Sequence, residues 1–155
     1  MEVGQDTNVD QIAPCGMNCA ICSHYLAFKN DLKSKNVSMP YCSSCRIRNK
    51  KCAFLKKHCE LLMKNKVRFC YECKNFPCDN LKRIDKRYRT FFRMSMIENL
   101  NIIKKNGIEK FLEKENKKWK CPDCGGTISC HNGICFQCGI DKLKNKKNLY
   151  RWEDD

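Results

Sequence analysis

No apolar run of about 18 residues occurs in this chain, so nothing in it reads as a membrane-spanning helix. Its first ten residues lack the basic and apolar regions of an export signal, which gives the expectation of a protein that is not exported. Gly125-Gly126 is the one glycine pair, and no phosphate-cradling loop can be drawn from it. HExxH is absent, as is any defensible Ser-His-Asp order. Nothing here favours catalysis. Apolar residues are also in short supply. The hydrophobic 42% includes fifteen cysteines, and without them about 50 of 155 residues remain to build a core.

What the chain does have is cysteine. Cys121-Pro122-Asp123-Cys124, ten intervening residues and Cys135-Phe136-Gln137-Cys138 form two CxxC pairs with the gap of a zinc ribbon. Each pair suits a tight turn at a hairpin tip, and the two tips bring four thiolates to one tetrahedral ion. A structural tetrathiolate site supplies about 10–16 kcal/mol of apparent binding energy that doubles as folding energy. Metal is expected to replace part of the missing core. Cys130 and His131, between the pairs, read as a spare thiol and a strand residue, or as an alternative ligand pair.

Upstream, the periodicity of Cys52, Leu55, Cys59 and Leu62 predicts a helix from Cys52 to about Lys64. On a continuous helix Cys52 and Cys59 lie ~10 Å apart along the axis. Sulfurs sharing one zinc lie only ~3.8 Å apart, so these two would not share an ion. They read as buried small hydrophobes or as members of different sites, and His58 as a surface residue. Eight cysteines remain, enough for two four-ligand sites. The simplest partition joins Cys42, Cys45, Cys70 and Cys73 in one, and Cys15, Cys19, Cys22 and Cys78 in the other. A cross-braced exchange of knuckles is the alternative. About three zinc ions are therefore expected in all.

The Cys15-x3-Cys19-x2-Cys22 spacing is also the one radical-SAM enzymes use, but the chain is too short for their partial barrel. A plain [4Fe–4S] cluster at Cys15, Cys19 and Cys22, with Cys78 as fourth ligand, is the alternative to zinc there. It would carry a redox or enzyme-accessory role.

An odd cysteine count in CxxC clusters fits reduced, metal-bound thiols, and hence a cytoplasmic protein. The formal charge of +14 counts cysteines as neutral; three zinc tetrathiolates would bring it to about +8. The surplus is mostly lysine, as in residues 142–147, which suits diffuse attraction to phosphate better than base reading.

Five zones follow: a mobile N-terminus at 1–12, a cysteine-cluster region with short helices at 13–78, a cysteine-free helical segment at 79–118, the zinc ribbon at 119–140 and a basic polar tail at 141–155. In the helical segment, Asp79 or Asn80 caps a first helix with Leu81, Ile84 and Tyr88 on one face. Ser95-Met96-Ile97-Glu98 has the capping-box form, Gly107 is a stop, and Ile108 opens another helix. Arg83, Arg87, Arg89 and Arg93 crowd Tyr88, Phe91 and Phe92, either as snorkelling cations over buried rings or as a stacking face for bases. The fold class expected is a small α+β metal-stabilised protein with C-terminal zinc-ribbon β-hairpins.

Several of these segments together resemble one family. They are Cys15-Gly16-x-x-Cys19-x-x-Cys22, Phe69-Cys70-x-x-Cys73-x-x-Phe76-Pro77-Cys78-x-x-Leu81, Arg87-Tyr88-Arg89 and Ser95 to Leu100. Trp119-x-Cys121-Pro122-x-Cys124-Gly125-Gly126 and His131 to Gly139 complete the set. The chain is similar over about 13–139 to a prokaryotic, cysteine-rich, zinc-binding family known as a domain of unknown function (the 3795 type). The resemblance implies Cys15, Cys19, Cys22, Cys70, Cys73 and Cys78 as family cysteines besides the ribbon four, and no activity. The functional expectation is a non-enzymatic, zinc-stabilised binding module that presents a basic surface to a protein or nucleic-acid partner.

Overall fold

The computed structural model describes residues 9–43, 59–64 and 66–152. Its regular elements are helices: α1 (Ser23–Lys29), α2 (Glu60–Met63), α3 (Asp79–Phe91), α4 (Met96–Asn106), α5 (Ile108–Lys118) and α6 (Ile140–Asn145). Short 3-10 turns lie at Val9–Gln11, Cys19–Ile21, Leu32–Lys35 and Cys70–Glu72. No helix among the described residues is long and apolar enough to cross a membrane.

The cysteine-free segment folds as three consecutive helices, and the reasons are local. Asp79 sits in the first turn of α3, while Leu81 is fully buried and Ile84 and Tyr88 are half-buried one and two turns on. Ser95 caps α4 by accepting the Glu98 N–H at 3.0 Å. Gly107, at φ +89°, ends α4 and opens α5 in a backbone conformation that side chains resist. One partner in this cap is not visible in the pattern. Asp85 of α3 is buried, accepts from Ser95 Oγ at 2.6 Å and from the Ile97 N–H at 3.0 Å, and pairs with Arg89 at 2.6 Å. Burial pushes its carboxyl up, but these donors outweigh burial and hold it below its ordinary value.

Two cores result. The larger gathers Ile12, Leu81, Met96, Leu100, Phe111 and Trp119 with the buried thiols of Cys15, Cys19 and Cys70. Gly16 lets the 15–17 loop lie against α4: a Cβ there would meet the Met96 carbonyl oxygen at 2.5 Å, and its φ is +90°. The Asn99 side chain fastens the same loop by donating to Gly16 O at 2.9 Å. The smaller core joins Leu26, Leu32, Val37 and Met39 to Ile134, Phe136 and Leu143. The two ends of the sequence are thus packed together.

The expected α+β class with β-hairpins around the C-terminal cysteines is not what forms. Among the described residues there is no strand or sheet, only the isolated bridges Ile12↔Asn18, Lys120↔Thr127 and Ile128↔Cys135. Neighbours Thr127 and Ile128 bridge to different partners, so no two consecutive pairs build a ladder. Turns take up the spacer instead: Gly125 N–H binds Cys121 O, Gly133 N–H binds Ser129 O, and the chain enters α6 straight after Gly139.

Described residues near both ends pack onto the body of the protein. Gln11 and Ile12 are buried, and the tail folds back through buried Leu143 and through Trp152, whose indole donates to Cys130 O at 2.8 Å. The helix expected from Cys52 starts, in its described part, at Glu60. Cys59 is extended at φ −127°, ψ 109°, so axial spacing no longer separates it from other ligands. Cys45, Cys52 and His58 lie outside the described residues.

Candidate metal centre

The C-terminal cysteines converge on one point. All four sulfurs of Cys121, Cys124, Cys135 and Cys138 lie within 4.8 Å of one another. Cys121 to Cys138 is 3.7 Å, and Cys124 to Cys135 is 3.5 Å. A tetrahedral ion with metal–sulfur bonds near 2.3 Å needs sulfurs ~3.8 Å apart, so the donor set fits such an ion. Backbone turns set the spacing. The Cys121 N–H binds Gly126 O at 2.7 Å, the Gly139 N–H binds Cys135 O at 2.8 Å, and the Gly126 N–H points at Cys124 Sγ at 3.3 Å.

The protonation pattern is that of thiols competing for one negative charge. Burial raises Cys121, yet the backbone N–H groups of Cys124 and Asp123 and the thiols of Cys138 and Cys135 bring it down to about 7. Beside it, Cys138 is pushed up to about 12 by Cys124 and Cys121, and burial raises Cys135. A dication at the centre is what lets all four ionise together. Cys124 and Cys138 are the more exposed ligands, so the site opens toward solvent on that side.

The upstream cysteines are distributed differently. Cys59, Cys70, Cys73 and Cys78 line one small apolar cavity. Burial first, then the charges of Cys15, Cys59, Cys78 and Cys73, push the Cys70 thiol well up. Cys19 and Cys15 are buried in the larger core, and Cys22 is half-buried within electrostatic reach of Cys130 and Tyr150. The Cys15, Cys19 and Cys22 sulfurs do not meet within the 4.8 Å that the C-terminal four satisfy. Cys42 is half-buried and gives its N–H to His24 O.

Cys130 and His131 form a buried joint. Cys130 is fully buried, its thiol is raised by burial, and its N–H binds Ile21 O at 3.0 Å. His131 Nδ1 accepts the Ser23 N–H at 3.1 Å, which leaves the ring proton on Nε2, near Tyr88 Oη. Tyr88, Phe92 and Tyr150 surround the ring edge-on, and burial holds it at about 4, a neutral imidazole. Serine side chains complete the joint, with Ser23 Oγ and Ser129 Oγ 2.7 Å apart. Repeated Ser-x or His patterning offers no sign of this pairing; only the proximity of residues 19–24 to 129–131 shows it.

The rings of α3 are spent on that joint, so Tyr88 and Phe92 are not free to stack on bases. Its cations are exposed: Lys82, Arg83, Lys86, Arg87 and Arg89 all face solvent, and Phe91 with them. Arg93 lies over the Trp152 ring at 4.1 Å.

The model of the family described as "Protein of unknown function (DUF3795)" matches residues 11–83, to which this part of the chain is similar. That match takes in every upstream cysteine and ends in α3, so it is narrower than the resemblance drawn over 13–139 and leaves the C-terminal four outside it. No curated protein and no solved structure matches the chain.

Proposed function

We propose, from that family similarity and from the C-terminal centre, that this chain is a non-enzymatic binding module stabilised by zinc. The observation that carries the reading is the convergence of four protein sulfurs on one point. A zinc held by four protein ligands keeps no open position for substrate or water, so its contribution is to folding. Tetrahedral sulfur ligation suits zinc, and the thirteen described cysteines are all free thiols, which supports a reducing, cytoplasmic setting. Occupied, the centre ties the 119–139 segment into a rigid body against α1 and α6.

The partner we assign is a nucleic acid, met through the exposed cations of α3 and the lysine-rich residues 142–147. Because Tyr88 and Phe92 are packed inward and lysine and arginine dominate the exposed face, binding is expected to be electrostatic and sequence-tolerant. Elemental mass spectrometry with a visible spectrum, on protein purified without oxygen, tests the metal: colourless protein with zinc supports the reading. Brown protein with several irons would overturn it in favour of a cluster at Cys15, Cys19 and Cys22. Salt titration of duplex DNA binding tests the partner. Log affinity should fall steeply with log salt, by ~0.9 per phosphate contacted. A shallow slope with weak affinity would instead indicate a protein partner.

A further inference from the structure

We propose that Cys59, Cys70, Cys73 and Cys78 form a second tetrathiolate site, for a single divalent ion, independent of the C-terminal centre. It deepens the metal-stabilised reading above and rests on it. It also differs from the simplest sequence partition, which sent Cys70 and Cys73 to Cys42 and Cys45 and left Cys59 either a buried hydrophobe or a member of an unspecified site.

Local geometry supports the assignment first. Cys70-x-x-Cys73 shares one feature with Cys121-x-x-Cys124, an amide aimed at the second sulfur. In the C-terminal centre the residue two places after the second cysteine, Gly126, donates its N–H to Cys124 Sγ at 3.3 Å. Upstream, Asn75 stands at the same offset and donates to Cys73 Sγ at 3.4 Å. The two turns are closed differently, by Cys73 N–H on Cys70 O at 3.1 Å and, one residue later in the motif, by Gly125 N–H on Cys121 O at 2.9 Å, so the shared feature is the amide aimed at the second sulfur. Amide hydrogens aimed at sulfur favour the thiolate, the form a metal requires.

The other two sulfurs come from helix starts. Cys78 is the N-cap residue of the thirteen-residue α3, where the dipole favours a negative charge. Cys59 is the N-cap residue of α2, extended and half-buried, and packs against the larger core. All four thiols line one largely enclosed cavity otherwise walled by apolar side chains such as Leu62 and Leu81. Cys15, although close enough to act on Cys70, does not line it.

Size decides what the cavity takes. Its volume is about 20 Å³. A single water-sized body needs roughly 10–15 Å³. One zinc ion fits that space; a cube of four irons and four sulfides does not. The four sulfurs here stand further apart than the C-terminal four. Occupancy draws Cys59 and α2 onto the Cys70-x-x-Cys73 turn, coupling the ion to the docking of α2.

The test is the metal content of full-length protein and five variants, purified without oxygen and measured as ions per chain. Cys59→Ser and Cys73→Ser should each lose one zinc, and the double variant should lose the same one. Cys124→Ser should lose a different one, so that Cys73→Ser with Cys124→Ser loses both. Full zinc retention by Cys59→Ser overturns the ligand set, as does a loss that adds to that of Cys73→Ser. If Cys124→Ser alone changes zinc, the second site fails while the metal-stabilised reading stands; if no variant does, both fail. Should a variant not fold, alkylation of the native wild-type protein decides. Cys59, Cys70, Cys73 and Cys78 should resist the reagent together and become reactive together when a chelator is added. Independent reactivity of Cys59, or a Cys59–Cys78 disulfide in the mass spectrum, overturns the proposal.

Discussion

Two groups of four cysteines, each containing a CxxC pair with an amide aimed at its second sulfur, lie in opposite surroundings. The C-terminal four sit where turns leave Cys138 exposed, beside a small core built around Phe136 and Leu143. Cys59, Cys70, Cys73 and Cys78 sit against the larger core, walled by Leu62, Phe76 and Leu81. Where a segment has few apolar residues of its own, an ion must substitute for core. Where thiols already pack against leucine and phenylalanine, they act as small hydrophobes even without an ion. Loss of metal should therefore affect the two ends of the molecule unequally.

The largest effect expected is at the C-terminal centre. Cys124→Ser should lose about one ion per chain and most of the ~10 kcal/mol or more that a structural zinc contributes to its lobe. Thermal unfolding of the smaller core around Phe136 and Leu143 should move to lower temperature, while the far-ultraviolet signal of α3, α4 and α5 largely persists. Wholesale loss of helix would show that the two cores are not separable in this way. Unchanged metal content would remove the four-ligand assignment itself.

Next comes a helix joint in the larger core that owes nothing to metal. Asp85→Ala strips the α4 cap of its buried acceptor and leaves Ser95 and the Ile97 N–H without it. A loss of about 3 kcal/mol is expected in chemical denaturation, with metal content unchanged. A metal change there would mean that α3 and the upstream thiols are coupled more tightly than their packing indicates.

The joint between the ends of the chain gives a pH signature of similar size. His131 titrates at about 4 when folded, against an ordinary 6.5. Its neutral form belongs to the folded state, so its contribution is complete above pH 6.5 and declines as pH falls toward 4. Over that window the loss is about 3 kcal/mol, from ~1.4 kcal/mol per pH unit. Thiolate protonation releases metal in the same range, so the comparison is with His131→Gln. Subtracting the two stability profiles should leave the histidine contribution alone; parallel profiles would show that His131 is not held neutral.

Much of this was legible in residue patterns, and the rest failed for identifiable reasons. Ser95 and Gly107 mark helix ends because caps are local chemistry, whereas the cap expected from Asp79 or Asn80 is not formed and Cys78 stands at the N-cap of α3 instead. The C-terminal ligands are legible because spacing alone constrains four sulfurs. Hairpins did not follow from the same spacing, since turns can place ligands without a ladder between them. Cys59 was misplaced because its periodicity with Leu55 and Leu62 suggests a helix that its own backbone does not join. Asp85, Ser23 and Leu143 gave no signal, because each acts through a partner far away in sequence or through one apolar side chain in a polar stretch.

The smallest expected effect isolates what α2 contributes to the upstream group. Glu60 pairs with Lys64 one turn along α2, both side chains largely exposed, 61% for Lys64 and 76% for Glu60. Such a pair is worth about 0.3–0.5 kcal/mol, so Glu60→Ala should change stability by no more than that. A four-residue helix is not stable by itself, and this pair is too weak to hold it. What remains is the seating of Leu62 in the larger core and the bond from Cys59 to the ion of the second site. Glu60→Ala should therefore leave zinc content untouched while its neighbour, Cys59→Ser, removes one ion. Equal losses from both variants would mean that α2 is held by its surface charges and that Cys59 is a bystander.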